Sequence, residues 1–223
     1  MTRRVAVELS GEQSVSGLLN RPASAFACYV LAHGAGAGMS HPFLEALAHL
    51  LAERDLATLR FQFPSMERGS RRPDPPAIAQ AAVRAAVAAA GRLVPGLPLF
   101  AGGKSFGGRM TSQAQASSEL PGVRGLVFIG FPLHPAKQPS TKRSEHLVGV
   151  GLPMLFVQGT RDDLAHLPEL RAVCDGLQDR ATLKLIDDAD HSFHVRTRSG
   201  RSNRDTMNEI ADTVATWIRT LAA

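Results

Sequence analysis

From residue 28 onward this chain alternates short apolar runs with stretches of helical periodicity, and few folds accept that alternation. CYVLAHG (28–34) is apolar and stopped by glycine, the mark of a buried strand. HPFLEALAHLLAERD (41–55) then spaces Phe43, Leu44, Leu47, Leu50 and Leu51 along a helix. LATLRFQFP (56–64) predicts a strand ended by proline, and the alanine-rich PAIAQAAVRAAVAAAGRL (76–93) predicts a helix. LPLFAGG (97–103), VRGLVFIGFPL (123–133), LPMLFVQGT (152–160) and ATLKLID (181–187) predict four further strands. SFGGRMTSQAQAS (105–117), LPELRAVCDGLQD (167–179) and TMNEIADTVATWIRTLA (206–222) supply helices. The first 22 residues predict a β-ribbon that leads in. Together these imply an α/β fold, a mainly parallel twisted sheet with helices on both faces. No repeat, low-complexity tract or long linker divides the 223 residues, so a single domain over 1–223 is expected. In such sheets ligands bind at the carboxyl ends of the strands.

Several function classes drop out on composition. The two cysteines, Cys28 and Cys174, match no metal or redox spacing and predict buried, reduced thiols. The segment MTRRVAVELSGEQ is charged and has no apolar core, and no apolar run nears the ~18–20 residues of a membrane span. The expectation is a cytoplasmic protein with no membrane partner. A net charge of +5 is modest, and no nucleic-acid partner is expected.

Residues 102–108 read GGKSFGG, a lysine and a serine between paired glycines. A phosphate-binding loop, G-x-x-x-x-G-K-[ST], would need glycine where Pro98 stands, inside a predicted strand. HGAGAG (33–38) likewise spaces its glycines G-x-G-x-G and misses the dinucleotide pattern. The pattern G-x-S-x-G is met in full by Gly103, Lys104, Ser105, Phe106 and Gly107, between a strand and a helix. A serine on so sharp a turn needs neighbours without side chains, and the helix behind it aims N–H groups at a developing oxyanion.

A nucleophilic Ser105 needs an acid, a base and oxyanion donors, in the chain order Ser…Asp/Glu…His. Asp162 and Asp163 follow one later strand, and His191 and His194 follow the last. Asp162 and His191 are favoured by their joint placement with Ser105. The donors are expected from the N–H groups of Ala35 and Phe106, with Gly34 or Gly36 as alternatives in the same small-residue loop. His33, which lies before the serine, is read as a structural residue that fixes this loop. Lys104, at the variable position of the turn, adds charge to the site. His134 and His146 lie in the one long insertion (132–151), where contact with substrate competes with a plain surface role.

With those residues placed, the chain resembles the α/β-hydrolase superfamily over roughly residues 28–220. It looks most like the small dienelactone-hydrolase-like branch, which also includes the third subunit of the nonspecific-lethal chromatin complex. The resemblance is carried by LAHGAGAGMSHPF, LRFQFPSMERG with RRPDPP, GGKSFGGRM, GFPLHP with RSEHL, QGTRD and DADHSF. It implies a three-layer α/β-hydrolase fold without a separate cap domain. It puts the nucleophile at Ser105, the acid at Asp162 rather than Asp163, and the base at His191. Dienelactone hydrolases proper carry a cysteine where this chain has Ser105, which argues against dienelactone as substrate.

The expected activity is esterase-like acyl hydrolysis of a small-molecule substrate, with neither metal nor organic cofactor needed. The rival is a binding or scaffold module on the same fold, as the chromatin subunit implies. The loops 65–76, 132–146 and 194–205 hold ten Lys or Arg against four Asp or Glu, the whole basic excess of the chain. They are expected to rim the site and to favour an anionic substrate, unless internal ion pairs absorb the charge.

Overall fold

The computed structural model describes residues 2–9, 11 and 13–222. Eight strands form one sheet: β1 (Thr2–Glu8), β2 (Ser14–Asn20), β3 (Ala27–Ala32), β4 (Leu56–Phe61), β5 (Leu99–Lys104), β6 (Val123–Ile129), β7 (Met154–Gly159) and β8 (Ala181–Ile186). The helices are α1 (Pro42–Ala52), α2 (Pro64–Glu67), α3 (Pro76–Leu93), α4 (Phe106–Ser117), α5 (Leu167–Leu177) and α6 (Asn203–Ala222). The order across the sheet is β1-β2-β4-β3-β5-β6-β7-β8. Pairing is antiparallel for β1 with β2 and for β2 with β4, and parallel from β4 through to β8. The expected leading ribbon is therefore present as β1 and β2; its residues 1, 10 and 12, like residue 223, lie outside the described residues.

Every residue of β3 and β4 is buried, because helices cover both faces of the sheet. Along β3 the side chains alternate between two cores. Ala27, Tyr29 and Leu31 pack with Leu44 and Leu47 of α1 and Ile210 and Val214 of α6. Cys28, Val30 and Ala32 face the other way, toward Val83 and Val87 of α3 and Met110 of α4. Helix α3 occupies the residues its alanine pattern predicted, 76–93, with Pro76 and its fixed φ opening the first turn. Both cysteines are buried and free, and burial pushes each thiol up to about 12.

Two short elements were not anticipated. Helix α2 stands where a loop was expected; Pro64 starts it, and the Ser65 N–H donates to Asp74 Oδ2 at 2.7 Å. Residues Lys142–Gly149 wind as a 3₁₀ helix against α4. That insertion stays small, and among the described residues no separate cap covers the sheet.

The topology locates the site before any side chain is considered. The chain runs from β3 to β4 on one side, then crosses by α3 to β5 on the other side of β3. The loops leaving β3 and β5 thus diverge, and a crevice opens at their carboxyl ends.

Candidate active site

Ser105 follows β5 and directly precedes α4, with φ 51° and ψ −115°, a conformation that few side-chain-bearing residues adopt. The surroundings enforce it. A Cβ on Gly103 would lie 2.2 Å from the Ala32 carbonyl oxygen, and one on Gly107 would lie 2.6 Å from the carbonyls of Ala32 and His33. Only glycine at both positions lets the turn press against the end of β3. The Ser105 N–H donates to the Ile129 carbonyl at 3.1 Å and ties the turn to β6.

Three loops bring a serine, a histidine and an aspartate into one hydrogen-bonded chain. The Ser105 hydroxyl lies 2.9 Å from His191 Nε2, and His191 Nδ1 lies 2.7 Å from Asp162 Oδ2. Asp162 is buried at the end of β7. Gln158 Nε2 donates to its Oδ2 at 2.5 Å, and the Leu164 N–H donates to its Oδ1 at 2.8 Å. With both oxygens occupied, the carboxylate orients the imidazole so that Nε2 is left to accept from the serine hydroxyl. Asp163 is exposed and takes no part in this chain. His194 reaches the rim, but its main chain closes the loop: its N–H donates to Asp190 Oδ1 and its carbonyl accepts the Asp190 N–H, both at 3.0 Å.

Gln158 was not singled out from sequence. Its side-chain oxygen also accepts the Phe131 N–H at 2.9 Å, so it joins the ends of β6 and β7 beneath Asp162. The one signal was a glutamine closing an otherwise apolar strand run, MLFVQ, where an unpartnered amide would be costly.

On the other side of Ser105, His33 Nε2 accepts the Phe63 N–H at 3.0 Å, so its Nδ1 carries the proton and donates to the Gly34 carbonyl at 2.7 Å. Burial pushes this histidine below its ordinary range, which keeps that tautomer neutral. His33 is the structural residue expected, and it fixes the loop that follows β3. Gly34 comes close to the turn: a Cβ there would sit 3.8 Å from the Ser105 Cβ. Among the described residues the N–H groups of Ala35 and Phe106 have no acceptor. Ala35 lines the crevice, and Phe106 opens α4, where the helix dipole adds positive potential.

The crevice has a volume of about 540 Å³. Gly34, Ala35, Lys104, Ser105 and His191 form its floor, and Phe43, Leu44, Phe193 and Met207 give it apolar walls. His41 lines it too. Lys104 does enter the crevice as expected.

Two other candidate site residues, Gly36 and His134, do not. Gly36 turns away at φ 65°, packed toward the Arg71 carbonyl, because the loop needs a left-handed residue there. His134 is buried outside the crevice: its Nε2 accepts the His166 N–H at 3.0 Å and its Nδ1 donates to the Pro135 carbonyl at 2.8 Å. It clamps the loop after β6 to the start of α5. Accordingly, His134→Ala should destabilise the fold by about 1–3 kcal/mol, from unpaired buried partners, and change kcat/KM less than about threefold; denaturant titration and steady-state assays check both.

The basic loops also sit differently from expectation. Of residues 65–76, 132–146 and 194–205, only His194 and Asn203 line the crevice. Arg68 pairs with Asp74 at 3.1 Å, Arg196 with Asp188 and Arg201 with Glu209. Asp188 and Glu209 lie outside the three loops, so a count of loop charges could not include them.

Residues 25–219 match the family of alpha/beta hydrolase domains. The chain belongs to that family. Solved structures share this α/β-hydrolase fold over nearly their whole length. A dienelactone hydrolase from Anabaena variabilis superposes with a TM-score of 0.79 at 21% identity, covering 99% of this chain and 98% of that one. The esterase domain of a Rhodothermus marinus protein gives 0.76 at 15% identity, with 100% of both chains covered. An α/β serine hydrolase without a lid from Xanthomonas campestris gives 0.75 at 20% identity, covering 97% and 94%. This hydrolase shares the lid-free outline: its crevice opens directly at the strand ends, without a cap to cross.

Proposed function

We propose that this α/β hydrolase is a serine hydrolase that cleaves small esters by acyl transfer through Ser105. The observation that carries the reading is the hydrogen-bonded chain Asp162–His191–Ser105, opening onto the crevice beside two free N–H groups. In the first half-reaction His191 Nε2 takes the hydroxyl proton as Ser105 Oγ attacks the ester carbonyl. Asp162 holds the imidazole in the required tautomer and offsets the charge of the imidazolium. The N–H groups of Ala35 and Phe106 donate to the tetrahedral oxyanion, a contact that strengthens as charge develops. The protonated His191 then delivers its proton to the departing alcohol. Water, activated by the same histidine, releases the acid and restores Ser105.

The apolar walls and the volume of about 540 Å³ suit a short or slender acyl group. The esterase and the serine hydrolase among the structural neighbours act in the same chemical class. Cations of the outer loops that join none of the loop ion pairs, Arg71, Arg72, Arg143 and Arg198 among them, support a preference for anionic substrates. They would focus the field from outside the crevice rather than by contact within it. A charged ester should then lose kcat/KM with added salt more steeply than a matched neutral ester, and equal slopes would remove that part. For the hydrolase itself, the test is turnover of p-nitrophenyl acetate by the protein and by Ser105→Ala. The serine variant should fall to the background rate; retention of wild-type turnover would assign the reaction elsewhere.

A further inference from the structure

Lys104 takes no part in the acyl-transfer steps, yet it sits in their midst. It is the last residue of β5 and the immediate neighbour of Ser105, and its side chain runs across the crevice floor. Its Nζ donates to the main-chain carbonyl of His191 at 2.6 Å, across 87 residues of sequence. The same ammonium lies 5.4 Å from the ring centroid of Phe193 and 6.0 Å from that of Phe43, and the two rings stack with centroids 5.8 Å apart. On its remaining side is Gly130, where a Cβ would come within 3.1 Å of Nζ and 3.4 Å of the imidazole of His191. Among the described residues no carboxylate forms an ion pair with it.

We infer that Lys104 is a positioning residue, a tether that holds the loop of the histidine base at the distance the neighbouring serine requires. The loop needs such a hold. Asp188 and Phe193 have φ values of 54° and 62°, so the segment that carries His191 bends sharply on both sides of it. Apart from the serine and aspartate contacts of the ring itself, the bond from Lys104 is what links His191 directly to the nucleophile turn. A hydrogen bond from an ammonium is about twice as strong as a neutral one, and the two aromatic faces favour the charged form within about 6 Å. A displacement of about 1 Å between reacting groups can lower a rate about a hundredfold, so a modest slackening of this loop is kinetically visible.

The charge state gives the tether a pH signature. The groups facing Nζ are Asp162, from the loop after β7, and Asp190, from the His191 loop; α1 presents Phe43, and the turn after β6 presents Gly130. Burial pushes the amine down to about 8, against the upward pull of those two carboxylates. The charge-assisted bond is therefore complete below that pH and weakens as pH rises through it.

The proposal rests on the hydrolase reading, and its test separates the two. Steady-state hydrolysis of p-nitrophenyl acetate is measured from pH 6 to 10 for the protein and for Lys104→Met, with hydrogen exchange of the 191–194 amides measured alongside. Loss of the tether should lower kcat at neutral pH about tenfold with KM unchanged within about twofold, and remove the alkaline step near pH 8. Thermal stability should fall by only a few degrees, because the desolvation cost of the cation is relieved as its bond to the His191 carbonyl is lost. The 191–194 amides should exchange faster, with an acceleration greater than that of the sheet core. A raised KM with kcat unchanged, or exchange identical to that of the unaltered protein, would overturn the tether. Exchange reads the loop without turnover, so faster exchange in a protein that hydrolyses no ester would uphold the tether while the hydrolase reading fell.

Discussion

His191→Ala is expected to lower kcat on a short p-nitrophenyl ester by about 10⁴-fold or more, while His194→Ala changes it less than about threefold. Both histidines line the crevice, and both follow the last strand, so sequence position separates them poorly. Geometry separates them well. Only the His191 ring spans the serine and the buried aspartate, with 2.9 Å on one side and 2.7 Å on the other. His194 contributes its main chain to the loop, through the paired bonds to Asp190, and an alanine keeps those. Rates measured with saturating ester, together with KM for each variant, distinguish loss of the base from loss of binding. A large fall at His194 with His191→Ala near normal would reverse the assignment of the base.

The second large effect concerns the turn rather than the chemistry. Gly103→Ala should destabilise the protein by about 3 kcal/mol or more, a large part of the ~5–15 kcal/mol that holds a domain folded. The added Cβ would meet the Ala32 carbonyl oxygen at 2.2 Å, with the Ala32 carbonyl carbon and Cβ both at 2.9 Å. Ala32 and Gly103 are register partners in the parallel pair β3–β5 at the centre of the sheet, so neither strand can retreat without breaking the ladder. Gly107→Ala meets backbone oxygens at 2.6 Å and should follow in the same direction. Denaturant midpoints read both. A midpoint for Gly103→Ala equal to that of the parent would show that the turn relaxes and that the glycines are not sterically required.

Much of this was legible in the sequence because it depends on local pattern. The helix over 76–93 was readable from alanine density, and the turn at Ser105 from glycines two positions either side. Asp162 and His191 could be placed because each lies just past the end of an apolar strand, and parallel sheets put those ends together. What stayed hidden depends on contacts between distant segments. Nothing near Lys104 in the chain indicates that its amine ends at the His191 carbonyl. His134 read as either a substrate contact or a plain surface residue of an insertion, and its burial depends on the His166 N–H beyond β7. Phe43 scored as one more apolar position of a helix, yet it faces the crevice, since periodicity gives a helix an apolar stripe without saying what the stripe covers. Helix α2 was missed because four residues are too few to show any period.

The central claim is that Ser105 is an activated nucleophile, and a fluorophosphonate probe tests it without any knowledge of the substrate. Such a probe reacts with a serine whose proton is taken by a neighbouring base, and the adduct is located by mass spectrometry of the digested protein. The protein should be labelled stoichiometrically on the peptide that carries Ser105, Ser105→Ala should not be labelled, and His191→Ala should react far more slowly. Folded protein that takes no label, or label that persists in Ser105→Ala, would contradict it.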